Sequence, residues 1–126
     1  MTEMTTDSVV LLHGTRVLHL AAEGPKLDSA QSALDLIGHV WGHEAEMLAV
    51  PVARCGDEFF DLETRIAGEV LQKFTNYHVP LAIIGDLSGH LAESSALRAF
   101  VHESNQGRQV WFLADLDELA DRLARR

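Results

Sequence analysis

Acidic side chains follow two of the apolar runs of this sequence, at the points where these runs end. Asp61 comes shortly after the run 47–52, and Asp86 comes directly after the run 79–84 with its Gly85. Because the carboxyl ends of parallel strands meet at one edge of a sheet, we expect these carboxylates to lie near each other. Together with Asp57, Ser88 and Asp115, which occupy similar positions, they could hold Mg²⁺ or act as a general acid and base.

Helix capping is the competing interpretation of the same residues. Asp115 and Glu118 have the spacing of a capping box, and Asp61 can cap a helix that we expect to begin near it. Asp86 is less well explained in this way, because the segment 85–88 does not itself begin the next predicted helix. Capping therefore accounts for Asp61 and Asp115 better than it accounts for Asp86.

Thr64 is a candidate phosphorylation site. It is predicted to lie in the first turn of the helix after the third strand, where the helix N-terminus would stabilise an added phosphate. The ordinary alternative is a surface threonine or a second capping group.

The sequence predicts neither a metal site nor a cofactor. His39 and His43 can share a helix face, but zinc needs a third protein ligand. Cys55 has no partner cysteine and is expected to be buried as a small apolar residue. The glycine-rich phosphate-binding patterns and the serine-hydrolase elbow are absent from the sequence, which disfavours a nucleotide enzyme or a serine hydrolase.

These side chains must be positioned by short strands alternating with amphipathic helices. The predicted order is β-β-α-β-α-β-α-β-α, in one α/β domain over residues 8–126 after a frayed tail over 1–7. The repeated strand–helix alternation requires parallel neighbours, and the initial hairpin adds an antiparallel edge strand. We therefore expect a mixed, mostly parallel sheet with flanking helices.

Charge and composition restrict the partners. The net charge of −9 repels phosphate backbones and anionic lipids, so we expect neither nucleic acid nor membrane to be a partner. The longest apolar runs are far below the roughly 20 residues of a membrane span. With a single cysteine and an N-terminus that lacks a signal pattern, we expect a cytoplasmic protein.

Several segments of the second half of the chain carry a family likeness. FFDLETRIAGEVLQKF at 59–74, NY at 76–77 and LAIIGD at 81–86 resemble the core of an uncharacterised bacterial family known only as a domain of unknown function. LRAF at 97–100 and ESNQGRQV at 103–110 resemble its second block. The likeness covers about residues 45–120 and implies no assigned activity.

A more distant likeness is to STAS domains, the fold of the anti-sigma-factor antagonists. The segment 60–64 resembles their turn between the third strand and the next helix, and Thr64 matches its phosphorylated hydroxyl residue. The usual Asp-Ser-Ser/Thr-Gly motif is absent, and Glu63 adds a negative charge beside Thr64. The likeness implies a STAS-like fold and a regulatory switch in partner binding.

Three functions follow from these features. The first is a non-catalytic, regulatory or partner-binding module. The alternative is a small enzyme or small-molecule-binding protein, and a third is a structural homodimer that buries exposed aromatic side chains. The candidate ligand-binding or partner-binding residues are Asp61, Thr64, Glu69, Tyr77, Asp86, Asn105 and Arg108, and the aromatic candidates for self-association are Trp41, Trp111 and Phe59.

Overall fold

The sheet that the described residues form has five strands, arranged in the order in which they occur along the chain. A computed structural model describes residues 7–125, so that all of the predicted tail except Asp7 lies outside the described residues. The first strand is antiparallel to the second, and all later neighbours are parallel, which confirms the predicted mixed sheet. The strands are β1 (Ser8–Leu12), β2 (Thr15–His19), β3 (Met47–Pro51), β4 (Leu81–Ile84) and β5 (Val110–Leu113).

Five α-helices within residues 7–125 flank this sheet. They are α1 (Ala30–Gly42), α2 (Ile66–Asn76), α3 (Ser88–Glu93), α4 (Ser95–Gln106) and α5 (Leu116–Ala124). The predicted order of elements is found, with the short helix α3 as an addition. None of the helices within residues 7–125 is long and apolar enough to cross a membrane.

The two faces of the sheet carry separate apolar cores. One core joins strand residues such as Leu48 and Ile83 to apolar residues of α1, α2 and α4. The other joins Ala49, Ala82 and Trp111 to Leu119 and Leu123 of α5. Both faces of the central strands are thereby covered, which explains their continuous apolar sequences. The helices that connect parallel strands lie on one face, and α5 lies on the other.

The strand order of the sheet limits where a ligand cleft can form. Open α/β sheets usually bind ligands in the crevice where the strand order reverses direction. In this sheet the strand order runs β1 to β5 without a reversal. A cleft at the carboxyl ends of the strands must therefore be built by the connecting segments.

Two predictions for individual residues differ from the structure. The helix expected near Asp61 begins instead at Ile66, after a series of 3₁₀ turns. The aromatic candidates Phe59 and Trp111 are only 1% and 3% exposed, so the expectation that they are available at an oligomer contact is wrong. Their rings lie in the two apolar cores, where burial of the rings stabilises the fold more than exposure at a surface would. Trp41 is exposed as expected.

Candidate functional site

The connection between β3 and α2 is folded tightly against the core by two phenylalanines. It contains three 3₁₀ turns, at Val52–Arg54, Asp57–Phe60 and Leu62–Thr64. Phe59 and Phe60 are both buried, with their rings in edge contact at 5.1 Å between centroids. Because these two side chains point inward, the carboxylates next to them are left on the solvent side.

The last of these turns is held by Asp61 and Thr64. The Asp61 carboxylate accepts the backbone N–H of Glu63 at 3.1 Å. The Thr64 hydroxyl lies 2.8 Å from the carbonyl oxygens of both Glu58 and Asp61, and its oxygen accepts the N–H of Ile66. Arg65 then adopts a left-handed backbone conformation with φ of 67°, after which α2 begins. Asp61 and Thr64 are thus both part of the turn that precedes the helix.

A cleft of about 570 Å³ separates this connection from α3 and the start of α4. We call it the acidic cleft. His90 of α3 stacks on the ring of Phe60, with 4.7 Å between centroids, and its Nε2 lies 3.9 Å from Oδ1 of Asp57. The residues that line the cleft are Asp57, Phe60, Asp61, Leu62, Glu63, His90, Glu93, Ser94 and Ala96.

Among the residues that the structure describes, four carboxylates face this cleft, and His90 is the one lining side chain that can carry a positive charge. The carboxylates belong to Asp57, Asp61, Glu63 and Glu93, all of which are exposed. Water and salt screen each charge, but several charges of one sign around a cleft still attract cations. Within residues 7–125, three or more His, Cys, Asp or Glu side chains nowhere come together as a group that could hold a metal ion.

Asp86 lies outside the acidic cleft. Its Oδ1 accepts the backbone N–H of Ser88 at 2.9 Å, and this hydrogen bond lowers the pKa of the Asp86 carboxyl. Asp86 lines a separate cavity of about 390 Å³ beside Leu87 and Phe112. The structure therefore gives Asp86 a turn-forming role before α3, and it does not bring Asp86 into one cavity with Asp61.

Tyr77 and Arg108 lie at the opposite end of the sheet. Tyr77 ends α2, and this helix runs back from the carboxyl ends to the amino ends of the strands. The Tyr77 ring makes an edge contact with the ring of exposed Trp41, with 5.6 Å between their centroids. Arg108 lies in the connection that leads into β5. Glu69 is exposed on α2 and lines another cavity, of about 860 Å³, beside Lys73. The structure does not bring these three residues to the acidic cleft.

Asn105 closes the outer edge of the sheet. Its Oδ1 accepts the Phe112 N–H at 2.7 Å, and its Nδ2 donates to the Phe112 carbonyl at 3.1 Å. Arg122 of α5 donates to the Asn105 carbonyl at 2.6 Å and stacks over the ring of Trp111 at 4.4 Å. These contacts account for Asn105 as a structural residue that joins α4, β5 and α5.

Sequence reasoning missed His90 and Glu93 as cleft residues because it did not predict α3. The signal was present in Asp86 and Ser88, since a side chain that accepts an N–H two residues later is typical of a turn before a helix. It also missed Arg54, which is 4% exposed and donates to the carbonyl oxygens of Ala21 and Pro25. No local pattern distinguishes Arg54 from a surface arginine.

The remaining candidates of the sequence lie apart from the cleft. Nδ1 of His43 lies 2.8 Å from the His39 carbonyl oxygen, and the two rings are 6.0 Å apart. Cys55 is buried as expected, and burial raises the pKa of its thiol to about 12. Neither observation adds a reactive group to the acidic cleft.

Comparison with known proteins identifies a family for nearly the whole chain. No curated protein and no solved structure matches the sequence. A family model does match it over residues 12–123, which include β2 and α1 as well as the segments quoted above. The chain therefore belongs to the family described as "Domain of unknown function (DUF4180)".

Proposed function

We propose that this chain is a non-catalytic, regulatory partner-binding module, and that its binding surface is the acidic cleft. The observation that supports this proposal most directly is the set of carboxylates on both walls of the cleft: Asp57, Asp61 and Glu63 come from one wall and Glu93 from the other. A positively charged segment of another protein fits this arrangement best. Such charges chiefly raise the association rate and select the partner, because exposed ion pairs contribute little net stability.

The stack of His90 on Phe60 gives the cleft a fixed inner surface. The two rings are nearly parallel, with 29° between their planes, so the His90 ring covers the buried Phe60 ring. A guanidinium or lysine side chain entering the cleft would meet carboxylates at its rim and an aromatic surface inside. Arginine suits this combination, since its planar group both stacks and pairs with carboxylates.

The resemblance of the segment 60–64 to the STAS turn supports a regulatory role for Thr64. Its hydroxyl donates to a backbone carbonyl within the turn, and a phosphate ester has no proton to donate there. Phosphorylation would also add negative charge next to Asp61 and Glu63. In this proposal, modification of Thr64 changes the shape of one wall of the acidic cleft and thereby changes partner binding.

The proposal is tested with two triple variants that each remove three negative charges from the net −9. D57N/E63Q/E93Q neutralises carboxylates of the cleft and leaves Asp61, which holds the turn, unchanged. E23Q/E46Q/E103Q neutralises exposed carboxylates elsewhere and is the matched control. Chemical-shift perturbation by a short arginine-rich peptide is measured by NMR at low and at physiological salt.

We expect perturbations at Phe60 and His90 in the native chain and in the control variant, and their loss in the cleft variant. Quantitative affinity capture with the three proteins should show the same pattern for native partners. Perturbations distributed over the whole surface, or equal binding by both triple variants, would contradict the proposal. A capture experiment in which the cleft variant keeps every partner would contradict it equally.

The alternative function is a small-molecule-binding protein or a small enzyme that uses the same cleft. It is favoured by the volume of the cleft, which lies within the range of about 300–1,000 Å³ typical of ligand sites, and by the 3.9 Å contact between Asp57 and His90. A carboxylate next to a histidine is an arrangement that can move protons. Thermal-shift screening of small cationic metabolites decides this point: a hit that His90→Gln abolishes would favour the alternative over a protein partner.

A further inference from the structure

The two outer edges of the sheet differ in how they are closed. At the β5 edge, the Asn105 side chain occupies the N–H and the carbonyl of Phe112. At the β1 edge, the strand Ser8–Leu12 pairs with β2 alone in the sheet that residues 7–125 form. Natural proteins usually blunt such edges with charged residues, proline or bulges. The β1 sequence SVVLL contains neither a charged residue nor a proline.

The backbone groups on the open side of β1 can be identified from the neighbouring strands. Leu20 donates its N–H to Ala49, and the Arg16 carbonyl accepts the N–H of Glu46, so the even-numbered residues of this segment face β3. The odd-numbered residues Val17 and His19 therefore face β1, where they pair with Val10 and Ser8. Because these directions alternate along a strand, the N–H and carbonyl groups of Val9 and Leu11 point away from the sheet.

The side chains at this edge are also incompletely covered. Leu11 is 67% exposed, which makes it the most exposed large apolar side chain within residues 7–125. Val9 is half-buried against the core beneath the connecting helices, and by strand alternation Leu11 projects from the same face. The edge thus offers free hydrogen-bonding groups and apolar area together.

We propose that β1 pairs antiparallel with β1 of a second copy of this chain, about a two-fold axis through Val10. In this register Val9 of one copy lies opposite Leu11 of the other, and each such pair exchanges both backbone hydrogen bonds. The side chains of Val9 and Leu11 from both copies then form one apolar cluster on the helix side of a continuous sheet. Such a contact is isologous and closes at the dimer.

The charges and the apolar pattern of this edge favour a second copy as the occupant. The outward-facing residues on the two sides of Val10 are both apolar, so the strand is complementary to itself. Asp7, the charged residue next to the strand, is held within its own chain: its Oδ1 accepts the N–H of Ala21 at 2.8 Å and lies 3.9 Å from the Arg54 guanidinium. Like charges do not face each other within Ser8–Leu12, which removes the local cost that the net charge of −9 would otherwise impose. The surface is separate from the acidic cleft, and this inference stands independently of the proposed function.

The first test is the oligomeric state of the full chain by light scattering and sedimentation over a range of concentrations. We expect a dimer for the native chain. Leu11→Lys places a charge in the apolar cluster, and Leu11→Pro removes an outward N–H without breaking the ladder to β2. Both should raise the dimer dissociation constant at least about tenfold. Trp41→Lys, which charges another exposed apolar side chain, is the matched control and should remain dimeric.

The second test establishes the register by cross-linking. Two Val10 residues facing each other across the axis would have α-carbons about 4.5 Å apart, within the range of a disulfide. Two Leu11 residues would lie diagonally at about 7–8 Å, too far for an unstrained bond. Mild oxidation should therefore link Val10→Cys more completely than the more exposed Leu11→Cys, while the native chain with its buried Cys55 should not cross-link.

Each outcome decides the proposal. A native chain that stays monomeric at high concentration overturns it, as does a Leu11→Lys variant with unchanged dimerisation and a folded circular-dichroism spectrum. Cross-linking of Leu11→Cys in preference to Val10→Cys overturns the register. Loss of the dimer in Trp41→Lys alone would move the contact to the end of the sheet where Trp41 meets Tyr77, and would refute the β1 interface.

Discussion

Gly24 and Arg54 are in direct backbone-to-side-chain contact: a Cβ on Gly24 would lie 2.7 Å from Cζ of the Arg54 guanidinium. Gly24 also has a φ of +149°, a conformation that other residues rarely adopt. The guanidinium donates to carbonyl oxygens on both sides of this glycine, at Ala21 and Pro25. The contact therefore fixes the connection between β2 and α1 against the beginning of the segment that forms the acidic cleft.

Gly24→Ala should lower the free energy of unfolding by about 1–3 kcal/mol, because it combines backbone strain with a clash against a buried side chain. Gly68→Ala is the control. Gly68 lies inside α2 with no atom near its would-be Cβ, so alanine there should stabilise by about 0.5–1 kcal/mol. Urea unfolding followed by circular dichroism measures both. Equal effects of the two substitutions would contradict the described contact.

Asn105→Ala should destabilise the chain by about 1–3 kcal/mol, since it leaves the backbone groups of Phe112 without their partners at the edge of the sheet. Asn105→Asp should recover only part of this loss, because a carboxylate accepts the N–H but repels the carbonyl oxygen. Gln106→Ala is the control: the Gln106 side-chain amide lies 2.9 Å from Nε2 of the exposed His102, and its removal should leave the stability within about 0.5 kcal/mol of the native chain.

The stabilities of these variants and of the native chain are compared by their urea unfolding midpoints at constant m-value. A native-like midpoint for Asn105→Ala would mean that water replaces both bonds without cost, and that Asn105 is free for the binding role its sequence position first indicated.

Most of the fold follows from local patterns. The apolar strands and the cap at Asp115 are readable in the sequence, and Asp115 accepts the N–H of Glu118 as the capping box predicts. These signals depend on residues only a few positions apart, so they can be recognised without knowledge of the tertiary structure.

The acidic cleft could be predicted only in part, because its two walls meet through a non-local contact. Phe60 and His90 are thirty positions apart in the numbering, and Leu87, which precedes α3, makes no side-chain capping hydrogen bond. Tyr77 and Arg108 could have been separated from Asp61 by topology alone. Both follow a helix that returns to the amino ends of the strands, whereas Asp61 follows a strand.

Thr64→Ala should lower the free energy of unfolding by about 1 kcal/mol, because it removes the hydroxyl that links Glu58, Asp61 and Ile66 in one turn. Thr64→Ser keeps the hydroxyl and should restore most of this loss. Thr64→Glu should resemble Thr64→Ala in stability, since it lacks the proton donor. If Thr64→Ala is as stable as the native chain while Thr64→Ser is not, the hydroxyl does not hold the turn.

Cys55 should make the chain less stable at alkaline pH. Burial raises the pKa of its thiol from 9.0 to about 12, so between these values the unfolded chain loses a proton that the folded chain keeps. The folded pKa is the higher one, and stability is therefore complete below pH 9 and decreases as the pH rises toward 12. The expected loss from this group is about 1.4 kcal/mol per pH unit, or about 2 kcal/mol by pH 10.5.

Other groups titrate in the same range, so the measurement is the difference between the native chain and Cys55→Ala, each unfolded in urea at pH 8 and pH 10.5. The native chain should lose more stability than the variant by roughly the 2 kcal/mol that burial of one thiol implies. In parallel, a thiol-specific reagent should modify the native chain at pH 8 only after urea unfolds it. Rapid modification of the folded chain would show that Cys55 is open to solvent. The difference in pH dependence between the native chain and Cys55→Ala should then be absent as well, because the protection of the thiol and its raised pKa both depend on its burial between β3 and the turn at Asp57.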